Sequence, residues 1–333
     1  MDALAEDTWR KVAYGPGRNV RFREDAITSH NLFELDQRHS WLRVWAFTPK
    51  QESANGADWE WWMGNDAQGW ICLRVQAKRL SEDRKYLELE HRVGESEDLQ
   101  IQLLLDSCIR DARRWQVPVV PLYCFYNGWV DHPHLTPNQR DADWPTGVRC
   151  LACPERSAPH SCIHTSLRIH GCTVTSAYTV RRIMLNDKRP YRLEHYLRVS
   201  LPWSHLFKAS DQLIAEDQEV AAIAAKTEAT FKQQHVAEGV LKQTRWLWLE
   251  SLQWATIEPT DDAQPWEILN EVAMAAPGRR PAPYVSRLLG VGVDQGSFPD
   301  AEGPDVRSLA VLEVPRPPER DERGLWDEVR QRW

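Results

Sequence analysis

Between Gly56 and Leu80 the chain reads GADWEWWMGNDAQGWICLRVQAKRL, two alternating segments joined by the turn-like GNDAQG. In an extended strand, residues two apart point to the same side. Asp58 and Glu60 therefore share one side of the first segment, and Gln76 and Lys78 share one side of the second. Trp59, Trp61, Ile71, Leu73, Val75 and Ala77 take the opposite, core-facing side. A slip of one residue would turn that apolar set outward, so the alternation fixes the register. The segment predicts a hairpin that gathers four polar side chains in one place.

The flanking sequence predicts what surrounds the hairpin. The breaker GPG at Gly15 to Gly17 ends a first helical stretch, and FREDAITSHNLFEL then spaces Ala26, Ile27, Leu32, Phe33 and Leu35 for a helix. WLRVWAF, Trp41 to Phe47, alternates as a half-buried strand does. After the hairpin, DLQIQLLLDSCIRDARRW carries an apolar stripe and a basic last turn suited to the negative end of a helix dipole. VPVVPLYCFYNG follows as a β-branched and aromatic strand. The expected order is helix, three strands, helix, strand.

Residues 129–171 are rich in Pro, His, Asp and Cys and read as an insertion or linker between a domain at 1–128 and a mixed α/β region at 172–333. Within the latter, helices are expected over Cys172 to Met184 and from Asp211, in DQLIAEDQEVAAIAAKTEATFKQQ. Strands are expected near Tyr284 to Gly290 and Ser308 to Val314, followed by a proline-stiffened tail.

With 333 residues and 17 tryptophans the chain can bury a large core. A net charge of -7 argues against a surface coated with phosphate-binding residues, although a local basic stripe remains compatible with nucleic acid. The start, MDALAEDTWRKVAYG, is acidic where a signal peptide is basic, and no apolar run approaches the roughly 20 residues of a membrane span. A cytoplasmic protein without membrane association is expected. Seven cysteines spread along the chain are expected to be reduced thiols.

The polar quartet has a chemical use. A carboxylate and an amide oxygen suit Mg²⁺, a hard cation, and a neighbouring ammonium can orient a water or offset charge on a phosphate. The order of elements, Gly56-Ala57-Asp58 and Val75-Gln76-Ala77-Lys78-Arg79 together resemble the PD-(D/E)xK nuclease superfamily, most closely its Mrr-like branch, in which Gln-x-Lys stands in the third strand. The resemblance covers about residues 20 to 127. It implies an α/β fold with a restriction-endonuclease-like αβββαβ core and mixed sheet, and Mg²⁺-dependent cleavage of DNA, with Mn²⁺ as a substitute.

In that reading Asp58, Gln76 and Glu60 hold the metal and Lys78 positions the attacking water. An acid on the first helix joins them, Glu24 being the first candidate and Glu34 the second, and Gln100 or Gln102 supports the site. Arg74, Arg79 and Lys85 would contact DNA phosphates. A place in restriction or anti-phage defence follows, with a homo-oligomer or a companion defence protein as partner, and the carboxy-terminal region sensing, recruiting or oligomerising. Two other classes fit the same residues: a nuclease fold without catalysis that binds nucleic acid or protein, and an RNA nuclease. The plain alternative is a hairpin with a solvated polar face, Asp58 pairing Lys78 at the surface.

Elsewhere, Cys150-x-x-Cys153 with Cys162 and His164 could hold a structural Zn²⁺, with His160, His170 and Cys172 as competing ligands. Arg245, Trp246, Trp248 and Trp254 could form a stacking platform but suit buried packing better. No Walker loop, Rossmann glycine fingerprint, His-Glu-x-x-His helix or Gly-x-Ser-x-Gly elbow is present.

Overall fold

The computed structural model describes residues 1–38, 42–46, 55–65, 69–90, 99–130, 144–145, 148, 150–151, 167–207, 281–288 and 308–313. Helix α1 (Asp2–Tyr14) is followed by α2 (Glu24–Arg38), β1 (Leu42–Ala46), β2 (Trp59–Asn65), β3 (Gly69–Arg79), α3 (Gln100–Trp115) and β4 (Val119–Tyr126). From α2 onward this is the predicted order of helix, three strands, helix, strand. Beyond it come β5 (Cys172–Ser176), α4 (Ala177–Asn186), α5 (Leu193–Leu197), β6 (Leu201–Pro202), α6 (Pro283–Leu288) and β7 (Ser308–Glu313).

The protein is α/β, and among the described residues seven strands form one mixed sheet of order β1-β7-β2-β3-β4-β5-β6. The predicted hairpin is present: β2 and β3 are antiparallel, with Trp59 opposite Val75 and Glu60 opposite Arg74. Strands β3 and β4 run parallel. Parallel neighbours need a crossover, and α3 supplies it. Strand β7 lies between β1 and β2, antiparallel to the first and parallel to the second. The sheet begun in the first 128 residues is thus completed by strands from beyond residue 171.

Two expected elements are corrected. Of the helix expected over Cys172 to Met184, the first five residues form β5, whose Thr173, Val174 and Thr175 are β-branched and suit a strand. Ser176 then caps α4, its Oγ accepting the Tyr178 N–H at 3.3 Å. Of the strand expected near Tyr284 to Gly290, the described residues 284–288 lie in helix α6, with Pro283 at its first position, where the missing N–H costs no hydrogen bond. The strand expected at Ser308 is β7. The helix expected from Asp211, the tryptophan segment around Trp248 and the tail lie outside the described residues.

Strand β3 is the centre of the core: ten of its eleven residues are buried, so both faces of the sheet are covered there. Tryptophans fill the layers around it, Trp61 against Trp203 at 5.8 Å and Trp62 against Trp115 at 5.6 Å between ring centres. Cys72, Cys108, Cys124 and Cys172 are buried free thiols, and Cys150 is buried as well. Among the described residues no helix is long and apolar enough to cross a membrane.

Helix α1 seals the sheet by close backbone approach. A Cβ on Gly171 would stand 1.8 Å from the carbonyl oxygen of Ala5. Gly171→Ala must therefore push α1 off the sheet. It is expected to lower stability by about 1–3 kcal/mol or more, measured as the shift in urea midpoint at unchanged slope.

Candidate active site

The site forms where the hairpin's polar face meets the ends of two helices. Asp58 sits just before β2, at the end of a loop that Gly56 makes possible. Gly56 has φ +70°, and a Cβ there would meet the Gln100 carbonyl oxygen at 2.4 Å. Only glycine lets this loop lie against the first turn of α3. Asn55 fastens it, with its side chain accepting the Ala57 N–H at 3.1 Å and its carbonyl accepting from Ser107 Oγ on α3 at 3.0 Å.

Asp58 is thereby aimed at β3. Its Oδ2 accepts the Ala77 N–H at 2.7 Å and Gln76 Nε2 at 2.6 Å. Gln76 Nε2 also donates to the Ala77 carbonyl at 3.0 Å, which fixes the amide. Gln76 Oε1 is buried without a hydrogen-bond partner among the described residues.

Two residues farther along β3, buried Lys78 donates from Nζ to Gln100 Oε1 at 3.0 Å and stands 3.7 Å from Glu24 Oε1. Glu24 opens α2, and its other oxygen accepts the Arg79 N–H at 2.9 Å. Its place is set by Thr28, which donates to the Glu24 carbonyl at 3.0 Å and lies 2.7 Å from the Tyr126 hydroxyl on β4. Asp58, Glu24 and Gln100 are half-buried, so the cluster opens to solvent through them.

Burial raises the Glu24 carboxyl to about 8. Lys78 opposes that rise, the charge of Asp58 and then that of Glu88 add to it, and the Arg79 N–H opposes it. Near neutrality Glu24 is therefore mostly protonated, even beside the Lys78 ammonium.

Residues 1–289 match the model of a protein family described as DUF6615, a family of unknown function. The chain belongs to the DUF6615 family. The match takes in every site residue named above and extends to α6. No curated protein matches the chain.

Of the residues expected in the site of this DUF6615 protein, Asp58, Gln76, Lys78 and Glu24 come together. Glu34 lies ten residues along α2, about 15 Å away by helical rise. Gln100 is the supporting amide, whereas Gln102 faces solvent and bonds Asp106 at 2.9 Å.

Glu60 and Arg74 are corrections. Both lie on the predicted face, but α3 covers that face and buries them. Glu60 Oε1 accepts from Arg74 at 2.6 and 2.8 Å, and Oε2 accepts from Trp62 Nε1 at 2.8 Å and from the Tyr284 hydroxyl of α6. With both oxygens used and no exposure, Glu60 is a structural anion and not a metal ligand. Arg74 is 1% exposed and also binds Asp111 of α3 at 2.8 Å, so it cannot reach DNA. Arg79, the last residue of β3, and Lys85 beyond it remain half-exposed, the Lys85 ammonium 5.7 Å from the Tyr191 ring.

Sequence reading did not single out Asp111, Tyr284 or, as a site residue, Tyr123. Asp111 had a signal, since it continues the buried stripe of Ile101, Leu104 and Cys108. Tyr284 is far away in the chain and had none.

Among the described residues no group of three or more His, Cys, Asp or Glu could hold a metal ion. Asp58 and Glu24 supply two carboxylates, and the unpartnered Gln76 oxygen is a third donor of the kind that Mg²⁺ takes. Of the expected zinc ligands, Cys150 lies 3.8 Å from His170 Nε2, while Cys153, Cys162 and His164 lie outside the described residues.

Two outcomes follow. A raised carboxyl means that the folded state holds a proton which the unfolded state has lost. Glu24 therefore weakens the fold as pH rises from its ordinary 4.5 to about 8. In metal-free buffer, the melting temperature of wild type relative to Glu24→Gln is expected to fall across that interval and level off above it. Arg74→Ala leaves Glu60 and Asp111 buried without their cation and is expected to cost about 3–5 kcal/mol by chemical denaturation, whereas a phosphate-contacting arginine would leave stability unchanged.

Proposed function

We propose that this protein is a metal-dependent nuclease of the PD-(D/E)xK type that hydrolyses DNA phosphodiesters, with a role in restriction or anti-phage defence. The observation that carries this reading is the convergence of Asp58, Gln76, Lys78 and Glu24 at the end of β3, together with the unpartnered Gln76 oxygen. The order of α2, β1, β2, β3, α3 and β4 supports a restriction-endonuclease-like core.

Asp58, the Gln76 oxygen and Glu24 would hold Mg²⁺ or Mn²⁺. The ion, when bound, supplies Lewis-acid stabilisation of the phosphate and lowers the pKa of a bound water. Lys78 is held in place by Gln100 and Glu24, with protons to donate to a water or to a phosphate oxygen as negative charge grows there. Glu24 would give up its proton on holding the ion, so that ion binding and proton release would be linked. Asp58 is anchored through Oδ2 to the backbone of β3, which fixes its aim without side-chain reorganisation. Arg79 and Lys85, beside this end of β3, are placed to meet the phosphates that flank the scissile one.

The test is incubation of the full chain with supercoiled plasmid and, separately, with RNA, with and without Mg²⁺. Mg²⁺-dependent nicking or linearisation of the plasmid is expected, reduced about 10²-fold or more in Lys78→Ala. Cleavage indifferent to that substitution would overturn the role of Lys78. Cleavage of RNA alone would move the substrate class. Absence of any cleavage with tight binding of DNA or protein would leave an interaction module on the same fold.

A further inference from the structure

Two buried polar atoms on the site's face have no hydrogen-bond partner among the described residues: Gln76 Oε1 and the hydroxyl of Tyr123. Gln76 on β3 is the register partner of Tyr123 on β4, so the two side chains leave the sheet on the same face, side by side. They are 1% and 0% exposed. An amide oxygen accepts only, whereas a phenol both donates and accepts. Buried polar atoms are almost always satisfied, and two orphans on register partners can both be met by an ion and its water. Near neutral pH a phenol keeps its proton and can accept a hydrogen bond through its oxygen.

We propose that Tyr123 is a positioning residue of the cation site, its hydroxyl oxygen accepting a hydrogen bond from a water in the hydration shell of a divalent ion that Gln76 Oε1 binds directly. This rests on the reading of Asp58, Gln76 and Glu24 as a cation site. Mg²⁺ and similar hard ions keep several waters when protein-bound. An ion's charge also makes the protons of those waters strong donors, for which a buried neutral oxygen is a suitable acceptor. A ring held in the core between two strands would orient such a water without itself approaching the substrate.

The test uses Tyr123→Phe, which removes one oxygen and keeps the ring, in the full chain. Mn²⁺ binding is measured by electron paramagnetic resonance with no nucleic acid present, beside the melting temperature of the ion-free protein. The dissociation constant for Mn²⁺ is expected to rise roughly three- to tenfold, the worth of one hydrogen bond. The ion-free melting temperature should hold or rise, because phenylalanine leaves no buried hydroxyl to satisfy. Unchanged Mn²⁺ affinity would overturn the proposal, as would an affinity loss matched by a drop in ion-free melting temperature, which is the signature of a packing role. Asp58→Asn separates the two readings. If it abolishes Mn²⁺ binding while Tyr123→Phe binds as wild type does, the role of Tyr123 fails alone. If wild type shows no bound Mn²⁺ at millimolar concentration, the cation site fails and Tyr123 with it.

Discussion

The structure depends on a strand that is buried on both sides and yet polar along one of them. On β3, Arg74, Gln76 and Lys78 project from one face beneath α3, where an unpaired charge or amide is costly. Each row is answered by side chains from outside β3. Arg74 meets Glu60 of β2 and Asp111 of α3, Gln76 meets Asp58 ahead of β2, and Lys78 meets Gln100 of α3 and Glu24 of α2. The first row is closed and dry. The last two approach the end of the strand, where half-buried Asp58, Glu24 and Gln100 let solvent in. A single period-two pattern therefore produces a structural ion-pair cluster and, one row along, a site.

That gradient is set by how α3 lies on the sheet. Its first turn is pressed against the Gly56 loop and its later turns carry Asp111 and Trp115 over Arg74. Because the same helix holds both Gln100 and Asp111, the charged cluster and Lys78 share one rigid support. Tyr284 of α6 extends that support to a segment more than 200 residues away, through its bond to Glu60. On the opposite face, Thr28 and Tyr126 fix α2 to β4 and so place Glu24. Two helices and three strands thus converge on a few ångströms of β3, and displacement of any one would misplace a donor or an acceptor.

Much of this was legible in local sequence, because period-two alternation and a Gly-Asn-Asp turn signal are short-range signals. They gave the hairpin, its register and the polar face. The helix pattern gave α2 with Glu24 at its start, and α3 with Gln100 in its first turn. What alternation cannot say is whether a polar face is solvated or covered. Glu60 and Asp58 are indistinguishable by spacing, and only the lay of α3 makes one a structural anion and the other a site residue. Insertion of β7 between β1 and β2 is a pairing across more than 240 residues and has no local signature. The segment from Cys172 failed for a different reason, since a strand running straight into a helix blends two periods in one apolar stretch.

The neutral side chain at Gln76 makes physical sense against Glu24. With its carboxyl raised to about 8, Glu24 contributes little negative charge to the cluster near neutrality. A carboxylate in place of the amide would add an anion beneath Asp58 and push Glu24 higher still. The amide offers an oxygen donor without that penalty, while Glu24 keeps its proton. In the proposed cation site a divalent ion would displace that proton, so that its binding would follow pH through Glu24.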